Sequence, residues 1–408
     1  MQTSDLQFAY KKKHSASAAT LTLKEIVRYY KQKNTAVFAA VVDASKAFDR
    51  VRHNRLYKIL KDRGIPPIAL RLILSMYESQ QSRCRYFDTV GEYYTVANGV
   101  RQGGVASPIL FIIYMDILYE RLEKAGIGCH IGSVFYGMIG YADDVILLAT
   151  SVYALNRILR ICTSFGNEFD VKYNAAKSKF IVLGNSKWES YENKVIFDGK
   201  TLKQVDHVDF LGNTIRGDLS EKTEIIEKVE DLFGRVNTIK YKLSGASYNV
   251  KSKIFTVKCA HAYGADTWNF SDRCTSGYWT AYGQSVRRLL GLPPSCPSIT
   301  VDAIVGTKGA PQVIFKKFLN LIKSMNESDN SRVKFMFDNA MADARSLIRK
   351  NIACIKESWG GLQPPPFSPD SSDRTKNVRE LLDAREGKTQ LGLSAEEIDE
   401  RMLLLCMR

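Results

Sequence analysis

The chain has 408 residues, 45% of them hydrophobic and 25% charged, enough for a substantial core in about two or three domains and unlike a disordered or fibrous composition. Its net charge of +15 points to a polyanionic partner, nucleic acid ahead of an anionic membrane, although a merely soluble cationic surface has the same sign. Eight cysteines with no C-x-x-C pair, a polar MQTSDLQ start and no apolar run of bilayer length argue against a structural zinc, a signal peptide and a membrane span, and predict an intracellular chain with reduced thiols.

In chain order, AVFAAVV at 36–42 predicts a buried strand ending at Asp43. Residues 54–63 predict a helix closed by Gly64, and Pro66-Pro67 opens another that reaches Glu78. Short strands near 83–87 and 93–97 flank Gly91 as a hairpin. Ser107-Pro108 reads as N-cap and N1 of a helix that stops at Gly126. A helix is expected over 152–165, then strands near 170–173, 179–183, 195–198 and 207–211. From Ser220 the pattern is helical, over 221–242, 248–263, 276–290, 311–326 and 331–357. Gln363-Pro-Pro-Pro-Phe-Ser-Pro reads as a linker, and Ser394–Met407 as a last helix opened by a Ser394/Glu397 capping box.

The stretch IGYADDVILLA, 139–149, sets Asp143 and Asp144 inside apolar flanks. An unpaired buried carboxylate is costly, and two adjacent ones also repel. The pattern suits two strands joined by a tight turn, but such turns favour Gly or Asn and this tip has neither. A solvent-exposed Asp-Asp turn is the plain alternative. A divalent cation turns the repulsion into ligation, and Mg²⁺ commonly takes one or two carboxylates plus substrate phosphates. Adjacent residues on a strand project oppositely, so a third acid from another strand is wanted. Asp43 has the right setting.

Seven segments, taken together, resemble parts of the reverse transcriptases of non-LTR, LINE-type retrotransposons. VVDASKAFDRV (41–51), GVRQGGVASPILFIIYMD (99–116) and YADD (141–144) look like palm motifs. LQFAYKKKHSASAATLTL (6–23) resembles the last fingers motif, NAAKSKFIVLG (174–184) the lysine motif and FLG (210–212) the primer grip. KIFTVKCAHAYGADTW (253–268) resembles a segment downstream of the thumb.

The resemblance implies an α+β fold of the right-hand polymerase type: partial fingers (1–35), an antiparallel-sheet palm (36–218), a helical thumb (219–300), a helical extension (301–362) and the linker with its terminal helix (363–408). It implies RNA-directed DNA synthesis from dNTPs on an RNA template and DNA primer, with two Mg²⁺ ions for which Mn²⁺ could substitute. Asp43 and Asp143 match the metal pair, with Asp144 in support. Phe48 matches the steric gate against a 2′-hydroxyl, where plain core packing is an equal alternative. Gln102, Gly103 and Tyr141 match nucleotide-binding positions. Lys177 matches the lysine that protonates pyrophosphate, or is a solvated lysine. Lys11 matches a triphosphate holder, beside Lys12, Lys13 and His14, which suit backbone phosphates. Phe210, Leu211 and Gly212 match the primer grip, or an ordinary strand end. Asp49 belongs to the motif without being a metal ligand; pairing with Arg50 or Arg52 is expected instead.

The chain departs from that family in two ways. Further fingers motifs are expected before Leu6, which only five residues precede, and Ala106 stands where Leu is common. The expectation is therefore an N-terminally truncated polymerase. The alternative is an inactive relic that binds nucleic acid or a partner.

Overall fold

The computed structural model describes residues 3–78, 80–184, 194–306 and 309–359 and the positions 380, 382, 383 and 394. The expected linker and terminal helix lie outside the described residues apart from Ser394. The chain divides into two units, Met1–Leu219 with Ser324–Asn339, and Ser220–Lys323 with Ala340–Arg408.

The first unit is α+β. It opens with residues 6–8 laid along a sheet edge, then α1 (Ala16–Gln32), whose N-cap Ser15 accepts from the Ala18 N–H. Strand β1 (Val37–Val42) is the centre of a five-stranded sheet. With neighbours on both edges and cover on both faces it must be apolar throughout, which is why AVFAAVV does not alternate. Helices α2 (His53–Asp62) and α3 (Pro67–Glu78) follow as expected.

The next hairpin differs from the sequence reading. β2 (Gln81–Ser82) pairs with a distant β5 (Tyr94–Thr95), and inside them β3 (Arg85–Tyr86) pairs with β4 (Thr89–Val90). The tight turn falls at Phe87-Asp88, where Phe87 takes a φ of +51°, and Gly91 merely donates its N–H to the Cys84 carbonyl. Helix α4 (Ser107–Ala125) is capped by Ala106 rather than Ser107 and ends at a left-handed Gly126.

A small ladder, β6 (His130–Ile131) with β7 (Val134–Phe135), precedes the hairpin of β8 (Met138–Tyr141) and β9 (Asp144–Ala149). Helix α5 (Val152–Phe169) ends four residues beyond the expected end, with Asp170 as its left-handed C-cap. The strand expected at 170–173 is a single bridge between Tyr173 and Ala44. β10 (Lys179–Leu183) pairs antiparallel with β1. β11 (Ile196–Phe197) and β12 (Lys200–Thr201) form a ribbon, and β13 (Lys203–Gln204) joins the main sheet in the order β13-β10-β1-β9-β8. β14 (His207–Phe210) and β15 (Asn213–Arg216) close the unit's strands.

Beyond Ser220 the described residues are helical: α6 (Lys222–Lys242), α7 (Tyr248–Lys258), α8 (Arg273–Leu290), α9 (Ser298–Val305), α10 (Ala310–Asn326), α11 (Ser331–Ala342) and α12 (Leu347–Trp359). In the second unit Trp268 is fully buried, its indole N–H donating to Glu224 and its carbonyl accepting from Asn351. The single helix expected over 331–357 breaks at 343–346. There the Asp343 carboxylate takes the Arg345 N–H and the Ser346 hydroxyl donates to the Ala340 carbonyl, side-chain bonds that compete with helical ones. Ser324–Asn339 packs within the first unit, where the Asn330 amide donates to the Asp5 carbonyl and Tyr136 to that of Arg332. Among the described residues no helix is long and apolar enough to cross a membrane.

Candidate active site

Register assembles the acids. β1 and β9 are antiparallel with Val42 opposite Val145, so one further step sets Asp43 opposite Asp144 at the same end of the sheet. Cross-strand neighbours stand about 5 Å apart at Cβ, close enough for carboxylates to share a ligand. The β8–β9 ladder closes with Tyr141 opposite Asp144, leaving Ala142 and Asp143 as a two-residue tip. Asp143 is thus on the turn, and strand alternation does not force it away from Asp144. The missing Gly has a physical counterpart: Ala142 itself takes the left-handed conformation, φ +59°, at a cost of about 1–3 kcal/mol. The buried side chain of Gln7 holds both its N–H and its carbonyl.

The electrostatics follow. Partial desolvation, then the charges of Asp143 and Asp43, push the Asp144 carboxyl above the usual carboxylate range. Among the described residues none of the three carboxylates has a Lys, Arg or His in an ion pair with it. Nor, among those residues, is there a group of three or more His, Cys, Asp or Glu placed to hold a metal ion by themselves. In chemical type the three side chains, oxygen donors that are anionic and, among the described residues, without a protein cation, suit a hard divalent ion, which would need water and substrate phosphates to complete its shell.

The loop 172–178 is tied to Asp43. The Asp43 N–H donates to the Ser178 hydroxyl at 3.2 Å, and the Asn174 N–H donates to the Asp43 carbonyl at 2.8 Å. Lys177 is exposed on that loop, with its own N–H on the Asn174 side-chain oxygen. Half-buried Phe48 stacks on fully buried Phe111, centroids 4.1 Å apart. Asp49 accepts from the Gln102 amide at 3.3 Å, linking the segments 41–51 and 99–116. Arg50 and Arg52 do not pair with Asp49; both face Asp170, which the end of α5 presents to them. Gly103 takes φ +81° and would have open space around a Cβ, so the backbone there is approachable. Tyr141 is half-buried at the base of the turn.

Two candidates have structural partners of their own. The Lys11 ammonium donates to the Thr3 and Ser4 carbonyls, at 3.1 and 2.6 Å. Burial lowers its pKa while Asp116 and Asp5 act the other way. Asp116 in turn pairs with Arg63 at 2.6 Å. Phe210 is buried at the end of β14, and Leu211 and Gly212, both at positive φ, form the hairpin tip. Asn213 anchors that tip by donating to Thr20 of α1 and to the Leu211 carbonyl. Sequence reasoning overlooked Gln7, although it lies within the LQFAY motif; a buried amide 135 residues from its partner leaves no periodic signal.

Residues 1–215 match the family described as reverse transcriptase (RNA-dependent DNA polymerase). A Pol polyprotein of the type-1 retrotransposable element R2 from Nasonia vitripennis is 32% identical over 130 residues, 32% of this chain and 13% of that protein. The R2DM Pol polyprotein of Drosophila melanogaster is 30% identical over 161 residues, 39% of this chain and 15% of that protein. The matched stretches are thus a small part of those relatives' length. A solved telomerase from Candida tropicalis, in complex with a fragment of telomeric RNA, aligns over 96% of this chain and 52% of its own at 12% identity and a TM-score of 0.41, too low to carry an inference.

Proposed function

We propose that this chain, which belongs to the reverse transcriptase (RNA-dependent DNA polymerase) family, extends a DNA primer on an RNA template in a mobile element's replication. The observation that supports this best is the register that sets Asp43 opposite Asp144 beside the Asp143 turn, with no Lys, Arg or His among the described residues in an ion pair with them. In this reading 1–35 belongs to the fingers, 36–218 is the palm, 219–300 the thumb and 301–362 an extension. Asp43 and Asp143 would hold divalent cations, Mg²⁺ with Mn²⁺ as substitute, and Asp144 would support them. Bound there, the ions would activate the primer 3′-hydroxyl and neutralise the charge that develops on the α-phosphate as pyrophosphate leaves.

The chain's own residues do the positioning. Phe48, stiffened by Phe111, offers a ring edge that would exclude a ribonucleotide's 2′-hydroxyl. Gln102 and Gly103, with Tyr141, would meet the incoming base pair and triphosphate. The Phe210–Gly212 tip would place the primer end. Lys177 would donate a proton to pyrophosphate from the loop that hydrogen-bonds Asp43. Lys11 would serve the triphosphate only by exchanging its bonds to Thr3 and Ser4.

The test is extension of oligo-dT on poly-rA by the purified chain, with dTTP. Activity is expected with Mg²⁺ or Mn²⁺ and is expected to vanish in Asp143→Asn. No extension at any concentration of either ion, with nucleic-acid binding intact, would establish the inactive binding protein instead.

A further inference from the structure

We propose that Gln7 is a positioning residue for the catalytic hairpin, fixing Ala142 by its side-chain amide and so aiming Asp143 and Asp144, a role that rests on the polymerase reading for what those carboxylates do. Gln7 is 1% exposed. Its Oε1 accepts from the Ala9 N–H at 2.9 Å and the Ala142 N–H at 3.0 Å. Its Nε2 donates to the Tyr119 hydroxyl at 3.1 Å and to the Ala142 carbonyl at 3.4 Å. A primary amide has two lone pairs and two N–H bonds, and all four are used. Turning the amide over would break every one, so its orientation is fixed by its surroundings.

The target of two of these bonds is the hairpin's one strained position. Ala142 is left-handed, which a residue with a Cβ adopts at a cost of about 1–3 kcal/mol. Hydrogen bonds to both its peptide groups offset that cost only in this turn geometry. Asp143 follows directly, so rotation about Ala142 would swing its carboxylate. The backbone reinforces the clamp. Gly140 donates to the Leu6 carbonyl at 3.0 Å, and Phe8 donates to the Gly140 carbonyl at 2.8 Å. The fully buried Tyr119 fills the space that a Cβ on Gly140 would need. Residues 6–9, Tyr119 and Gly140 thus form a fixed socket from which Gln7 reaches the turn with both polar atoms of its amide.

Gln7→Met keeps the length and removes both arms. Four readings on the full chain decide: thermal unfolding, hydrogen exchange at the Ala142 amide, Mn²⁺ affinity by electron paramagnetic resonance, and primer-extension kinetics. Loss of a residue that orients metal ligands is expected to weaken Mn²⁺ binding about ten- to hundredfold and raise the half-saturating Mg²⁺ in proportion, lowering kcat while KM for dTTP and primer–template affinity stay within about twofold. Ala142 exchange should accelerate while β1 and β9 stay protected. Tyr119→Phe removes one hydroxyl and should shift both metal readings the same way by less; if Gln7→Met does not fold, this variant decides. Unchanged Mn²⁺ affinity and Ala142 exchange in a folded variant, even one with a lower Tm, would overturn the proposal and leave Gln7 a buried packing residue. A wild-type chain that binds Mn²⁺ at the carboxylates but extends no primer would remove the polymerase reading alone, and the clamp would still be judged on Mn²⁺ affinity and exchange.

Discussion

Asp144 carries the site's conflict in a single group. Its carboxyl is raised by desolvation and by Asp143 and Asp43, so between the unfolded and the folded pKa the folded chain binds this proton more tightly than the unfolded chain does. With the folded pKa above the unfolded value of about 3.9, this group's contribution to stability falls as pH rises through that window and stays lower above it. Asp144→Asn should therefore unfold at a higher temperature than wild type at neutral pH. The gain should be no more than about 1 kcal/mol, since the side chain is open to water, and it should fade as pH drops below about 4. Millimolar Mg²⁺ or Mn²⁺ should raise the Tm of wild type by binding only the folded state, and should raise that of Asp144→Asn less. Calorimetry with and without the ion checks both signs. A variant less stable than wild type at pH 7 without metal would mean that the three charges are not in conflict.

At the scale of elements, the β8–β9 hairpin is built around a missing side chain. A Cβ on Gly140 would stand 1.6 Å from the Tyr119 hydroxyl oxygen and 2.8 Å from the ring carbon that bears it. Gly140→Ala must displace a fully buried ring from α4, an overpacking that costs about 1–3 kcal/mol or more. Adding Tyr119→Phe should recover part of that loss, because the worst clash is with the hydroxyl; chemical denaturation of both singles and the double variant measures the coupling. The elements that were legible share one property, a local signal strong enough to fix their bounds. β1 is an unbroken apolar run ended by Asp43, and α3 opens on Pro67. α1 carried no such signal, because ten successive residues, Ala18 to Val27, are buried on all sides and the apolar stripe disappears. In the 81–95 hairpin Gly91 looked like the turn, yet Phe87-Asp88 forms it, through tertiary placement that turn preferences do not encode. Asp43, Asp143 and Asp144 could be singled out as candidates because residue type and motif order survive without geometry. The Gln102–Asp49 and Gln7–Ala142 bonds could not, since each joins positions more than 50 residues apart through one side chain.

The charge of the whole molecule bears on what the site is for. Residues 363–408 hold seven Lys and Arg against nine Asp and Glu, so the rest of the chain carries +17 of the net +15. A polymerase grips its template–primer through the backbone whatever the sequence, and each phosphate neutralised by Lys or Arg releases counterions. If about six to ten such contacts form, affinity for a poly-rA/oligo-dT duplex should fall by roughly 10³ to 10⁵ between about 50 and 200 mM salt. Binding and chemistry should separate cleanly. Asp43→Asn and Asp143→Asn remove negative charge from one end of the β1–β9 pair, so without divalent ions they should bind the duplex at least as tightly as wild type while losing extension. Charge reversal at exposed basic positions should do the opposite, flattening the salt dependence and weakening binding evenly across sequences. Fluorescence anisotropy across a salt series, run on wild type and on these variants, reads both effects in one experiment. A duplex affinity that barely responds to salt would mean that the positive excess faces solvent rather than nucleic acid, and would leave the carboxylates without the substrate that the family's chemistry requires.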